Sequence, residues 1–185
     1  MTVFGGRKGR LEKGVNAYHI DAPDVGHDGL LDTGMVISLP ALRQVCHSYG
    51  CTITEFLTAS LLDSLQYVHM LDRNPGKCNM IKVSVPVDLR PLYGSRSQRN
   101  FSTYINIGVD LANKRYALDS LVHEVAARKR EGLEKEKLEP KIAANVELEE
   151  SIIVRMIPLF MKKFIIDTIC RNHGDKFVSY TLSNL

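Results

Sequence analysis

Three arginines and one aspartate lie in the segment from Asp88 to Arg99, between two apolar stretches of the chain. A carboxylate and a guanidinium two residues apart most simply form an ion pair, so we interpret Asp88 and Arg90 as a structural pair. An arginine fork can also bind a phosphate group, which keeps phosphate recognition by Arg90 as the alternative. Arg96 and Arg99 have no acidic neighbour in this loop. They are the better candidates for contacting an anionic ligand, while an exposed loop is the ordinary interpretation.

The apolar stretches on either side of this loop have the periodicity of strands. Every second residue is apolar in Ile81–Asp88 and over most of Ser102–Leu111, which predicts two strands. A short loop joins them, so antiparallel pairing in one sheet is the simplest arrangement. The alternation places Asn106 on the face opposite the apolar residues of its strand. Tyr104 is expected beside Asn106, on what is either a ligand-binding or an ordinary polar face.

A helix is expected to support these strands. Thr52 and Glu55 have the types and spacing of a capping box, in which each side chain accepts a hydrogen bond from the other residue's backbone amide. Apolar residues at helical spacing follow, so we predict a helix over Ile53–Met70 that packs on one face of the sheet. Pro40 is expected to open a shorter helix before it, and Gly50 to end that helix.

The remaining segments complete the predicted secondary structure. Residues 34–39 form a candidate strand, and the helix expected over 117–133 continues into a charged, solvated stretch. Helical patterns resume over 141–171, and an alternating strand pattern occupies 176–185. Together these elements predict an α/β class of fold, with a mixed β-sheet covered by helices.

Composition excludes several classes of function. The 185 residues have a formal net charge of +3, and their Lys and Arg are interleaved with Asp and Glu, so no nucleic-acid partner is expected. The four cysteines form no CxxC pair and lack a histidine cluster, so we expect free thiols in the cytoplasm and no metal. Charged residues and Pro158 interrupt the apolar segment 152–170, so we reject a membrane span. A helix that packs on protein is favoured over one that lies on a membrane surface.

Four short stretches resemble the condensation-domain and alcohol acyltransferase family. They are, in chain order, the helix CTITEFLTASLLDSLQ, the strand and loop VSVPVDLRP, the strand NFSTYINI and the strand YTLSNL. The resemblance covers residues 38–185 and implies the C-terminal half of a chloramphenicol acetyltransferase-like fold, with a substrate tunnel between two similar halves. Proteins of that family move an acyl group from a thioester of coenzyme A or of a phosphopantetheine carrier protein to an alcohol or amine.

The resemblance also implies roles for individual residues. A hydroxyl on the last strand, from Ser183 or Thr181, would face the tunnel and stabilise the oxyanion formed during acyl transfer. The alternative is a hydroxyl on a solvated strand face. The candidates for binding the donor or lining the tunnel are Arg96, Arg99, Asn106 and Tyr104.

One motif of that family is missing from this chain. The family's His-His-x-x-x-Asp-Gly motif, which supplies the general base, does not occur. His27, followed by Asp28 and Gly29, resembles only the end of the motif, and a loop residue is the better interpretation. The other histidines considered are read as surface or packed residues; they are His47, His69, His123 and His173. The chain alone is therefore expected to be inactive.

These points define the expected organisation. Residues 1–33 would be a linker or loop from a missing N-terminal half, and residues 34–185 a C-terminal acyltransferase-like subdomain that is truncated at its end. The expected partners are that missing half, a carrier protein and a second copy of the chain. No permanently bound cofactor is expected, because acyl-CoA or a phosphopantetheine thioester would be the donor substrate. The alternatives are a non-catalytic docking module of the same fold and an unrelated α/β domain that acts through interactions alone.

Overall fold

Helices and strands both contribute to the part of the chain that the structure describes. The computed structural model describes residues 15–20, 33–72, 78–96, 101–112, 114–150, 156–159, 161–163, 168 and 176–183. In chain order, its elements are helices α1 (Leu39–Ser48) and α2 (Ile53–Leu71), strand β1 (Met80–Asp88), helix α3 (Arg90–Tyr93), strand β2 (Ser102–Asp110), helices α4 (Leu118–Gly132) and α5 (Lys135–Glu150), and strand β3 (Tyr180–Thr181). The fold is therefore α/β, as the sequence predicts, with a three-stranded mixed sheet of order β2-β1-β3.

Strands β1 and β2 form an antiparallel ladder along their whole length. Met80 lies opposite Asp110, and Asp88 lies opposite Ser102. Just beyond the ladder, the N–H of Leu89 donates to the carbonyl of Phe101 at 2.9 Å. The predicted antiparallel pairing of these two strands is confirmed.

Strand β3 is shorter than the sequence predicts. Alternation predicts a strand over 176–185, but in the described residues regular pairing is limited to Tyr180–Thr181, parallel to β1. The N–H of Lys82 donates to the hydroxyl of Ser179 at 3.1 Å, so a side chain takes the place of a backbone acceptor at this point. The regular ladder therefore begins only after Ser179.

The core lies between one face of the sheet and the helices α2 and α4. The predicted packing of α2 on the sheet is confirmed, because its buried residues belong to the same apolar cluster as those of the strands. The buried cluster contains Tyr18, Ala59, Leu62, Leu65, Ile81, Val83, Val85, Ile105, Ile107, Val109, Leu121, Val122 and Val125.

The junction between α1 and α2 agrees with the local sequence signals. Gly50, with a φ of +62°, follows α1 in the left-handed conformation that glycine adopts without strain. The N–H of Glu55 donates to Thr52 Oγ1 at 3.3 Å, and the N–H of Thr52 donates to Glu55 Oε2 at 2.8 Å. The predicted capping box is confirmed, and it satisfies backbone amides that the first turn of α2 leaves unpaired.

Two predictions about local structure are wrong. Residues 34–38 form no strand, and Val36 is fully exposed, because no described strand lies alongside to pair with this segment. The charged stretch is largely solvated, as predicted, but it does not continue α4 as one helix. Instead α4 ends at Gly132, and a separate helix, α5, begins at Lys135. This break lets Leu138 become buried, with 2% of its surface exposed.

The short segment 15–20 has no regular secondary structure but is attached to the sheet. The N–H of Tyr18 donates to the carbonyl of Met80 at 2.7 Å, and the N–H of Ala17 donates to the carbonyl of Lys176 at 2.7 Å. The Tyr18 ring is buried in the core, and its hydroxyl donates to Asp72 Oδ2 at 2.8 Å. The segment therefore packs as part of the fold and brings the carbonyl of Val15 close to the sheet.

Candidate functional site

A cavity of about 450 Å³ lies where the sheet meets the end of α4 and the start of α5. We call it the polar cavity, because most of its described lining side chains are charged or can form hydrogen bonds. It is lined by Lys82, Tyr104, Ile105, Asn106, Arg128, Glu131, Gly132, Lys137, Leu138 and Phe177. Its volume is within the range of about 300–1,000 Å³ that is usual for small-molecule sites.

Two residues singled out from the sequence meet in the polar cavity. Tyr104 and Asn106 are alternate residues of β2 and point away from the apolar core, so both are exposed. This is the face that strand alternation predicts for Asn106. The phenol and the amide can donate and accept hydrogen bonds beside a bound ligand.

Lys82 is a third residue of the polar cavity, and it was not predicted from the sequence. Its Nζ donates to the backbone carbonyl of Val15 at 2.8 Å. Burial lowers the pKa of the Lys82 ammonium below its ordinary value, and the nearby Cys78 thiol opposes this shift only in part. The sequence signal that could have identified Lys82 is the alternation of β1, which places this residue on the face away from the core.

A glycine on the neighbouring strand makes room for the Lys82 side chain. Gly108 lies directly opposite Lys82 in the ladder between β1 and β2. A Cβ atom at Gly108 would lie 2.5 Å from Cγ of Lys82 and 2.6 Å from the carbonyl oxygen of Ile81. Both distances are below van der Waals contact, so the absence of a side chain at Gly108 lets the Lys82 stem lie across β2.

The helices contribute further charges to the polar cavity. Arg128 Nε lies 2.7 Å from Oε1 of Glu124, one turn earlier on α4. Lys137 forms a hydrogen-bonded ion pair with Glu131 and lies 3.7 Å from Glu134. The hydrogen bond between them raises the pKa of the Lys137 ammonium and lowers the pKa of the Glu131 carboxyl.

The charge of the described lining is unbalanced. Lys82, Arg128 and Lys137 are cationic, and Glu131 is the single carboxylate among the described lining residues. Arg128 and Lys137 are paired with Glu124, Glu131 and Glu134, so Lys82 is the one lining cation without a carboxylate partner among the described residues. Arg and Lys side chains in a concave site can bind phosphate or carboxylate groups. The polar cavity is therefore suited to a ligand that has both anionic and hydrogen-bonding groups.

The loop after β1 lies outside the polar cavity. Arg90 Nε lies 3.4 Å from Asp88 Oδ1, and the backbone N–H of Arg90 donates to the same oxygen at 3.0 Å. Both side chains are about half exposed, so this surface pair contributes little to stability. Arg96 is exposed and does not line the cavity, and Arg99 lies outside the described residues.

The two candidate oxyanion donors also lie away from the polar cavity. Thr181 pairs through its backbone with Ser84, at the edge of β1 opposite to β2. Thr181 and Ser183 are both exposed, and neither is among the described residues that line the cavity. Within the described part of the chain, therefore, the structure does not bring these hydroxyls together with Tyr104 and Asn106.

The described histidines are not arranged as ligands of one metal ion. His19 is exposed in segment 15–20, and His47 and His123 are exposed on helices α1 and α4. His69 packs edge-on against Tyr18, with ring centroids 4.7 Å apart, and lines a separate cavity of about 160 Å³. No group of three or more metal-ligating side chains occurs among the residues that the structure describes. His27 and His173 lie outside those residues.

Comparisons with known proteins give no relative for this chain. No family model matches it, and neither the search of curated proteins nor the search of solved structures found a match. Within the described ranges, none of the helices combines the length and the apolar composition needed to cross a membrane.

Proposed function

We propose that this chain is the donor-binding part of an acyltransferase of the condensation-domain and alcohol acyltransferase kind, with the half-domain fold of chloramphenicol acetyltransferase. In this proposal an acyl thioester of coenzyme A or of a phosphopantetheine carrier protein binds in the polar cavity. The observation that carries the proposal is the meeting of Tyr104 and Asn106 with Lys82, Arg128 and Lys137 around one space.

The chemistry of such a donor matches the lining of the polar cavity. A phosphopantetheine arm combines phosphate groups with amides, so it needs both cations and neutral hydrogen-bonding partners. Arg128 and Lys137 would contact the phosphates by exchanging contacts with Glu124, Glu131 and Glu134 for charge-assisted hydrogen bonds to phosphate. Tyr104 and Asn106 can then pair with the amides of the arm.

The general base of the reaction has to come from elsewhere. No histidine is among the described lining residues of the polar cavity, and the sequence has no His-His-x-x-x-Asp-Gly motif. A partner half would supply the base and the second wall of the tunnel, and the complete protein would act in the cytoplasm. The same observation favours a second candidate function, in which the chain is a docking module that binds the thioester without catalysis.

Equilibrium dialysis of the full chain with radiolabelled acetyl-CoA tests donor binding. Arg128→Gln and Asn106→Ala are expected to weaken binding, by about tenfold for the charged contact. Arg96→Gln is the matched control, because Arg96 is exposed and outside the cavity. Equal affinities of the Arg128 and Arg96 variants would contradict this placement of the donor, and the absence of acetyl-CoA binding by the unmodified chain would contradict the proposal itself.

A second assay separates catalysis from docking. The chain is incubated with acetyl-CoA and a panel of alcohols and amines, and acceptor-dependent release of free thiol is followed. We expect no release above the buffer rate, because the described lining of the cavity lacks a histidine to act as general base, and general-base catalysis typically contributes a factor of about 10²–10⁴ in rate. Acceptor-dependent turnover that is lost on replacing any histidine of the chain would contradict the assignment of the base to a partner.

A further inference from the structure

Two lysines reach the polar cavity, and their surroundings differ. Lys137, on α5, is paired with Glu131 and also lies near Glu134. Lys82, on β1, forms no ion pair with any residue that the structure describes, and its Nζ donates to a neutral carbonyl, that of Val15. One cavity therefore contains one lysine in an acidic environment and one without a carboxylate partner.

These surroundings affect the protonation of the two amines in opposite directions. Burial lowers the pKa of Lys82, whereas the hydrogen bond that Lys137 donates to Glu131 raises the pKa of Lys137. Besides Cys78, the charged and titratable groups that the structure describes around the cavity are Tyr104 on β2, Arg128 and Glu131 on α4, Lys137 on α5, and Glu124 and Glu134, which pair with Arg128 and Lys137. A larger fraction of Lys82 is therefore neutral at a given pH, and the neutral amine is the nucleophilic form.

The Lys82 amine is also held in position. Its stem lies across Gly108, where a side chain would collide with it, and its Nζ is hydrogen-bonded to Val15. The residue is nevertheless only partly buried, so a ligand in the polar cavity can reach it. An amine held at the wall of a binding site reacts faster than a free amine, because less motion has to be restricted in the transition state.

We propose that Lys82 is an acylation site, which takes the acyl group from an acyl thioester bound in the polar cavity. The neutral Nζ attacks the thioester carbonyl, a C–N bond forms and the C–S bond breaks. The amine proton passes to the departing thiolate, so the products are an Nε-acyl-lysine and a free thiol. This inference depends on the proposed function for its donor.

Acylation would change the site that produced it. The product amide has no charge, so the described lining keeps only two of its three cationic side chains, Arg128 and Lys137. The electrostatic attraction for an anionic donor is then weaker. Acylation of Lys82 therefore limits further donor binding at the same cavity.

The test measures which lysine is acylated first. The full chain is incubated with acetyl-CoA, and peptide mass spectrometry follows acetylation of Lys82, Lys137 and Lys114. Lys137 is the control for the same cavity, and Lys114, exposed and outside it, is the control for the surface. We expect Lys82 to be acetylated several-fold faster than both control lysines. Lys82→Arg should abolish this fastest acetylation. Equal rates at the three lysines would overturn the inference.

A second reagent separates the reactivity of the amine from donor binding. Trace labelling with acetic anhydride needs no binding site, and we expect Lys82 to be labelled several-fold faster than Lys137 with this reagent as well. If acetyl-CoA binds in dialysis but Lys82 is not preferred by either reagent, the inference fails and the proposed function stands. In another outcome, the anhydride labels Lys82 faster than Lys137, but acetyl-CoA does not bind the chain and does not acetylate Lys82. The proposed function then fails, and the acylation site fails with it.

Discussion

Lys129 Nζ lies 2.9 Å from Glu55 Oε1, and this ion pair joins α4 to the first turn of α2. Both side chains are largely buried, with 21% and 14% of their surfaces exposed. The same carboxylate accepts the N–H of Thr52 through its other oxygen. Glu55 therefore links a local cap to a tertiary contact, and its charge acts on both.

The free energy of unfolding is expected to depend on pH through Glu55. Burial by itself raises the pKa of the Glu55 carboxyl, but the Thr52 amide and the Lys129 ammonium outweigh burial and lower it below its ordinary value. The stabilisation is therefore fully present above about pH 4.3, the ordinary pKa of glutamate, and is lost as the pH falls through the lower folded value. Urea unfolding should therefore be measured from about pH 5 down to about pH 3, a range that brackets the ordinary pKa of glutamate. Over this range Glu55→Gln should lose less free energy of unfolding than the unmodified chain.

A double-mutant cycle on Glu55 and Lys129 measures the ion pair at neutral pH. Gln at position 55 can still accept the amide of Thr52, so Glu55→Gln removes the charge and keeps the cap. With Lys129→Met as the partner change, we expect a coupling on the order of 1 kcal/mol. The more exposed pair of Glu124 and Arg128 is the control, and a coupling there as large as at Glu55 would contradict a special role for burial.

The capping box should contribute measurably to stability. Thr52→Ala removes the acceptor for the Glu55 amide and is expected to cost about 1 kcal/mol in the free energy of unfolding. Ser38→Ala is the matched control, because Ser38 stands before α1 as its N-cap residue without a side-chain capping hydrogen bond. Chemical denaturation of both variants should show a loss only for Thr52→Ala. A comparable loss for Ser38→Ala would mean that the hydrogen bond is not the cause.

The buried Gln66 is expected to be sensitive to replacement. Its Nε2 donates to the Tyr116 carbonyl at 3.0 Å, and the N–H of Tyr116 donates to Gln66 Oε1 at 2.8 Å. Gln66→Leu leaves both backbone groups without these partners, at a cost of about 1–3 kcal/mol for each buried group. Gln44→Leu, at an exposed position of α1, should change stability by less than about 0.5 kcal/mol in the same thermal unfolding assay.

Two glycines should differ in their tolerance of alanine. At Gly108 a Cβ would lie 2.6 Å from the Ile81 carbonyl oxygen, which belongs to the sheet backbone and moves little. At Gly132 the nearest atom is Cγ2 of Ile105, at 2.7 Å, so the obstacle there is a buried side chain and not the sheet backbone. We therefore expect Gly108→Ala to cost about 1–3 kcal/mol and Gly132→Ala to cost less, as measured by urea unfolding. The opposite order would contradict the geometry of the Lys82 and Gly108 pair.

The sequence predicted those elements whose signals are local. Strand alternation identified β1 and β2 and their pairing, and the capping residues marked the start of α2 to within one residue. Strand alternation also put Asn106 on the face that lines the polar cavity. Alternation failed at residues 34–39, since an apolar stretch becomes a strand only if a partner strand is available to pair with its backbone.

The amino-acid sequence by itself determined the α/β class, the central hairpin and the face on which each strand residue lies, because these follow from backbone periodicity and nearest neighbours. Only the tertiary structure decided which charged side chains share the polar cavity. Lys82 on β1 lies far in the sequence from Arg128 on α4 and Lys137 on α5, and their meeting depends on the break between α4 and α5 and on the space left by Gly108. The contrast between Lys82 and Lys137 arises in the same way, since burial and a neighbouring carboxylate set the protonation of an amine and neither is encoded in its local sequence.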